Sequence, residues 1–327
     1  MHGKRIRTGI VAVVAVCFAA SAQANPDWWS VEWPNTDFEK HSVAFEEIRS
    51  GGPPKDGIPS IDDPKFEAAD KIKAVADNEP VIGFGVADDM RAYPLAVLMW
   101  HEIVNDTVGG VPVSVTYCPL CNAAVVFDRR VDGKVLDFGT TGKLRNSDLV
   151  MYDRQTESWW QQFTGTAIVG EMTGTELKML PARLESFANF KARAPEGKVL
   201  VPNNPGLRRY GVTPYAGYDS SAQPFLYNGK IPDNVPPLSR VVKVGDRAWA
   251  LPLVRSHKRI ETEDGLIVSW TEGQSSAMDH PVIAEGTDVG NVIVQKMGEN
   301  GLKDVPYGVD FAFAFHAFHP DSEIIAK

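Results

Sequence analysis

The sequence predicts a mainly β protein with short α-helices (α+β), arranged as one complete and one reduced copy of a duplicated β-rich unit. Three observations carry this expectation. The apolar residues fall in short runs bounded by turn residues, not in long stripes of helical period. Glycine and proline, 28 and 23 of the 327 residues, are spread along the chain, as a protein with many turns requires. Short motifs of the first half return in the same order in the second.

From the N-terminus, residues 1–24 are expected to be a secretory signal peptide. Lys4, Arg5 and Arg7 make a positive start, Ile10 to Ala20 is an apolar or small run of 11 residues, and Ala22-Gln23-Ala24 supplies a small-x-small cleavage site. The run is too short for a bilayer, which needs ~20 residues, and no later stretch approaches that length. The expectation is a periplasmic or secreted protein with no integral membrane segment after cleavage. The chain carries 33 Lys+Arg against 42 Asp+Glu, a net charge of −9, and losing the three leader cations makes it −12. Such a balance disfavours phosphate neutralisation, so nucleic acid is not an expected partner. An unknown small molecule or a periplasmic protein is.

Residues 25–79 form an N-terminal extension. It holds Trp28, Trp29 and Trp33, a loop opening with Gly51-Gly52-Pro53-Pro54, and a stretch from Phe66 to Ala76 whose apolar spacing predicts a helix. The first β-rich repeat covers 80–205. Val81 to Val86, Val111 to Tyr117 and Ala123 to Phe127 predict strands, and Val131-Asp132-Gly133 a hairpin turn into Lys134 to Phe138. Pro94 to Asp106 predicts one helix, with Pro94 in its first turn, Leu95, Leu98 and Met99 as its stripe, and Gly109-Gly110 beyond its end. A connector rich in Pro, Gly, Tyr and Asn fills 206–239, and the reduced second repeat 240–327.

The repeat rests on ordered echoes. Ala92-Tyr93-Pro94-Leu95 returns as Ala250-Leu251-Pro252-Leu253, Ala167 to Glu171 as Pro281 to Glu285, and Phe190 to Leu200 as Phe315 to Ile325. The span from Ala92 to Glu171 is 79 residues and that from Ala250 to Glu285 is 35, so the second copy is expected to lack the segment holding the cysteines. Function is therefore expected in the first copy.

Of three cysteines, Cys17 falls in the leader, leaving Cys118 and Cys121 in Thr116-Tyr117-Cys118-Pro119-Leu120-Cys121. Two cysteines so close do not make a disulfide scaffold. Three readings stay open: a local structural disulfide, a redox-active dithiol, or a metal site. No thioredoxin-like βαβ pattern surrounds the pair. The nearest further ligand in sequence is His101, followed by Glu102. His-Glu begins like the H-E-x-x-H zinc motif, but Asn105 follows where no second histidine stands, which argues against a zinc protease. The metal reading takes Cys118, Cys121 and His101 as ligands, with water, Met99 or Met151 as the fourth. Copper or zinc suits such donors, and Glu102 would be the neighbouring base. His316 and His319 read as a solvated helix end.

A polar constellation follows: Gly139-Thr140-Thr141-Gly142, Asn146-Ser147-Asp148, Tyr152-Asp153-Arg154 and Trp159-Trp160-Gln161. As a salt-bridged loop it is structural. As a pocket floor, Arg154 would bind an anion and Asp148 would orient a proton. No Gly-x-Ser-x-Gly elbow, P-loop or dinucleotide fingerprint occurs.

The run HEIVNDTVGGVPVSVTYCPLC, with VVFDRRVDGKVLDFGTTGKLRNSDLVMYDRQTESWWQ after it, resembles the bacterial exported family DUF3179, a domain of unknown function. The resemblance implies a duplicated, mainly β architecture and points to the same motif residues, without an activity. Asn122 departs from it, standing where a small glycine is expected. The function classes carried forward are a transition-metal-binding or metal-dependent redox protein, a thiol-disulfide oxidoreductase, and a non-enzymatic periplasmic binding or assembly module with a structural disulfide.

Overall fold

The computed structural model describes residues 26–299 and 301–327, so the expected signal peptide lies outside the described residues. The fold is mainly β, with five short α-helices and many strands among the described residues. No helix among the described residues is long and apolar enough to cross a membrane.

Two sets of elements share strand order and sense. In the first, the hairpin Pro80–Val86/Asp89–Pro94 takes Arg183–Ser186 antiparallel on one edge and Lys198–Val201 parallel on the other. In the second, the hairpin Arg240–Val244/Arg247–Ala250 takes Gly308–Phe311 antiparallel and Ile324–Ile325 parallel. A helix follows each hairpin directly, Leu95–His101 or Leu251–His257. Both helices stop on a residue with positive φ, Glu102 at 57° and Lys258 at 61°, which swings the chain into an antiparallel meander. The first meander is Ile103–Val108, Val111–Cys118, Ala123–Asp128 and Met179–Leu180. The second is Arg259–Glu261, Leu266–Thr271, Asn291–Gly298 and Gly301–Asp304.

The largest difference between the sets is a five-stranded antiparallel sheet. It comprises Ile48–Ser50, Phe138–Arg145, Asp148–Asp153, Trp159–Gln161 and Ala167–Val169. All but its first strand come from the chain between Ala123–Asp128 and Met179–Leu180, where the second set turns directly from Asn291–Gly298 to Gly301–Asp304. The sequence echoes place this difference wrongly. Ala167–Val169 is a strand of the extra sheet, whereas Ile283–Glu285 is a 3-10 turn. The strands flanking the cysteines have counterparts of the same order in the second set, and a long loop stands there in place of the cysteine turn.

Two helix expectations are corrected. Within Phe66–Ala76, Lys65–Ala68 is a strand on Lys198–Val201, followed by one 3-10 turn; Ile72 and Val75 pack as irregular chain on the cluster containing Phe187 and Phe190. The helix expected to reach Asp106 ends at His101. The stripe Leu95, Leu98, Met99 is real, but β-branched Ile103, Val104, Thr107 and Val108 favour the strand that follows. Gly109 and Gly110, at φ 53° and 82°, are its hairpin turn and not a helix end. Asp106 then faces the neighbouring sheet, where both its oxygens accept from Arg91 Nη1 at 2.7 Å and one accepts from the Tyr93 hydroxyl at 2.6 Å. The expected Asp132-Gly133 turn is present, with both residues at positive φ, and joins Arg130–Val131 to Lys134–Val135.

The largest core cluster runs without a break from Ile82 and Tyr93 of the first set to Val242, Trp249 and Phe311 of the second. Residues 206–239 hold one 3-10 turn and no strand or α-helix.

Candidate metal centre

Pro119 sits at the start of a 3-10 turn, Pro119–Cys121, where its missing N–H costs nothing. Residues three apart eclipse in 3-10 geometry, so Cys118 and Cys121 present their side chains on one side. The turn closes with Asn122 N–H donating to Pro119 O at 3.1 Å, and Asn122 takes the left-handed conformation (φ 52°, ψ 27°). Asparagine tolerates that conformation as few other residues do. It also gives what glycine could not: Oδ1 accepts from the Tyr117 hydroxyl at 3.1 Å and Nδ2 donates to Val309 O at 2.6 Å. This departure from the expected glycine ties the cysteine turn to the second set.

Asp148 reaches the sulfurs from the extra sheet. It opens the strand Asp148–Asp153 just after a tight turn in which Asn146 and Ser147 both have positive φ. Its Oδ2 accepts from Gln161 Nε2 at 2.7 Å and from the Phe163 N–H at 2.9 Å, while Oδ1 is buried with no hydrogen-bond partner. The two sulfurs and a carboxylate oxygen of Asp148 all lie within 4.8 Å of one another. Both thiols are free, and all three residues are buried.

Glu102 approaches from the helix end. Its N–H donates to Leu98 O at 2.7 Å and its carbonyl accepts from the Tyr117 N–H at 2.8 Å, which fixes it against the cysteine strand. It is 8% exposed.

Burial dominates the electrostatics. It pushes the Cys118 and Cys121 thiols upward, with Cys121 raised further by its neighbour Cys118. The Asp148 carboxyl rises to about 7 against the hydrogen bonds it accepts, and Glu102 to about 8 through burial and the charge of Asp148. Four acidic groups thus share one desolvated space, and each resists its anionic form. A bound cation would reverse that preference for all of them.

The connector roofs the site. Tyr218 donates its hydroxyl to Leu120 O at 3.0 Å, and the Ser147 hydroxyl donates to Phe225 O. Burial raises the Tyr215 hydroxyl, and the charges of Glu102 and Cys118 raise it further. Neither Asp148 as a neighbour of the sulfurs nor these tyrosines follows from spacing. The only sequence signal for the roof is the tyrosine content of the connector.

The structure does not bring the other expected residues into this cluster. The imidazole of His101 bonds Pro59 O at 2.7 Å through Nδ1 and the Tyr210 hydroxyl at 2.8 Å through Nε2, so both nitrogens are engaged elsewhere. Among the described residues, the set within 4.8 Å holds Cys118, Cys121 and Asp148 without it. Met99 and Met151 are buried in the main core. Arg154 pairs with Asp62 and donates to Ser60 Oγ at 2.7 Å. It follows the far end of the Asp148–Asp153 strand, about 20 Å from Asp148 at ~3.3 Å per residue, so the two do not share a pocket floor. Gly142 is a packing glycine: a Cβ there would lie 1.9 Å from Pro53 O. His319 is half-buried, with its ring stacked on Phe315 at 5.0 Å, and His316 is half-buried too.

The chain matches, over residues 55–322, the family described as "Protein of unknown function (DUF3179)". No curated protein and no solved structure matches it.

Proposed function

We propose that this chain, which belongs to the DUF3179 family, binds a transition-metal ion through Cys118, Cys121 and Asp148, with Glu102 beside the ion. One observation carries the proposal: three buried ligand atoms from two distant segments, two sulfurs and a carboxylate oxygen of Asp148, converge within 4.8 Å. Ligands of a tetrahedral zinc, at ~2.3 Å for sulfur, lie about 3.8 Å apart, so small side-chain movements suffice. Two thiolates and a carboxylate suit zinc. Copper(I) would draw on the thiolates alone. An open fourth position would hold water, and Glu102 would accept its proton. His101 serves in this account to hold the helix end, not to ligate.

Two arguments favour the metal over a reactive dithiol. Both thiols are buried and raised, the opposite of an activated cysteine. The leader expected at residues 1–24 argues for export, and a metal would keep the pair from oxidising outside the cytoplasm. We also read the two matching sets as descendants of one duplicated unit, supported by their shared strand order.

The test is elemental analysis of protein purified from cells supplied with zinc and copper, beside Cys118→Ser/Cys121→Ser, with circular dichroism to verify folding. About one metal ion per chain, lost in the folded double variant, is expected. No metal in the parent, or equal metal in both, contradicts the proposal.

A further inference from the structure

A second feature involves Phe163, the residue whose N–H holds Asp148. A cavity of about 280 Å³ opens there, walled by Val126, Phe163, Met179 and Tyr307 and lined also by Lys243 and His319. It draws on both matching sets, since Val126 belongs to the first meander and Lys243 to the second hairpin. An apolar cleft with a few converging polar groups is the usual form of a small-molecule site.

Lys243 is the unusual member. Its side chain is 9% exposed, and its ammonium lies 3.5 Å above the Phe163 ring. Its ammonium borders the cavity. Its one ion-pair neighbour, Asp310, is 3.4 Å away, fully buried, with neither oxygen hydrogen-bonded. Asp310 can take one of the three ammonium donors, and the others need an acceptor. Burial pushes the Asp310 carboxyl upward, and Lys243 draws it back down.

We propose that this cavity binds a small apolar monocarboxylate, its carboxylate accepting from Lys243 and its hydrocarbon part resting on Val126, Phe163 and Met179. The ammonium keeps donors beyond the one Asp310 can take, and a ring or short branched chain is what the walls accommodate. His319, held toward its neutral form by burial, supplies a second polar contact at the same cavity. The inference stands independently of the metal proposal and needs no metal.

The probe is benzoate, titrated into the full chain by calorimetry and ligand-observed NMR, with benzyl alcohol as the neutral analogue of similar shape. Benzoate is expected to bind at least about tenfold more tightly than benzyl alcohol, because it alone forms a charge-assisted hydrogen bond. Lys243→Met, which keeps the stem and removes the charge, should remove that preference. Ala182→Phe, at the half-buried rim of the cavity, should abolish binding of both. No benzoate binding, an equal affinity for the alcohol, or undiminished binding to Ala182→Phe would overturn the proposal. The comparison of the two probes on the parent protein decides it even if Lys243→Met does not fold.

Discussion

Glu102→Gln isolates the cost of enclosing a carboxyl group beside the sulfurs. The amide keeps the shape and removes the ionisation. In the metal-free protein the Glu102 carboxyl stands at about 8 against an ordinary 4.5. The folded state therefore keeps a proton that the unfolded chain releases. Stability is full below about pH 4.5, declines as pH rises, and levels off above about 8. At about 1.4 kcal/mol per pH unit, a rise of this size is worth on the order of 5 kcal/mol across the window. Asp148, raised from 3.8 to about 7, acts in the same direction, and because the two carboxyls repel they titrate as a pair. The assay is urea unfolding in the presence of a chelator at pH 5, 7 and 9. Parent and variant should have similar stability at pH 5, and at pH 9 the variant should be more stable by several kcal/mol. Superimposable profiles, or a parent that gains stability toward pH 9, would refute the reasoning.

Further outcomes follow from single contacts. Asn122→Ala should destabilise the protein by about 2–4 kcal/mol in thermal or urea unfolding, through two lost buried hydrogen bonds and a left-handed φ of 52°. Asn122→Gly should cost about 1 kcal/mol less than the alanine, because it relieves the backbone alone. Arg91→Ala leaves Asp106 buried without its arginine partner and should cost about 3–5 kcal/mol, while the folded variant keeps its metal by elemental analysis. His101→Ala should likewise keep its metal content, whereas Asp148→Asn should lower zinc affinity in a chelator competition. Loss of metal in His101→Ala would restore that histidine as a ligand.

The parts legible in the sequence are those set by local pattern. The strands Val111–Cys118 and Ala123–Asp128 follow from alternation and β-branching, and the Asp132-Gly133 turn from its residues. The paired sulfurs follow from a Cys-Pro-x-Cys turn. Local pattern misled where two periods meet. The helical stripe at Leu95, Leu98 and Met99 continues visually into Ile103 and Val104, and nothing in the residue types marks Glu102 as the break. Asp148 was visible as a polar residue but not as a neighbour of Cys118. That contact depends on how an inserted sheet packs against the meander, 27 or more residues away along the chain. His101, closest in sequence, is turned to Pro59 and Tyr210 by a helix that ends one residue later.

The central claim is that Cys118, Cys121 and Asp148 form one metal centre. Zinc-edge X-ray absorption on the zinc-loaded chain reads its donors directly. Two sulfurs at ~2.3 Å with one or two oxygen donors at ~2.0–2.2 Å are predicted, and Asp148→Asn should change the oxygen shell while leaving the sulfurs in place. A spectrum without sulfur scatterers, or one with sulfur that is identical in Asp148→Asn, would contradict it.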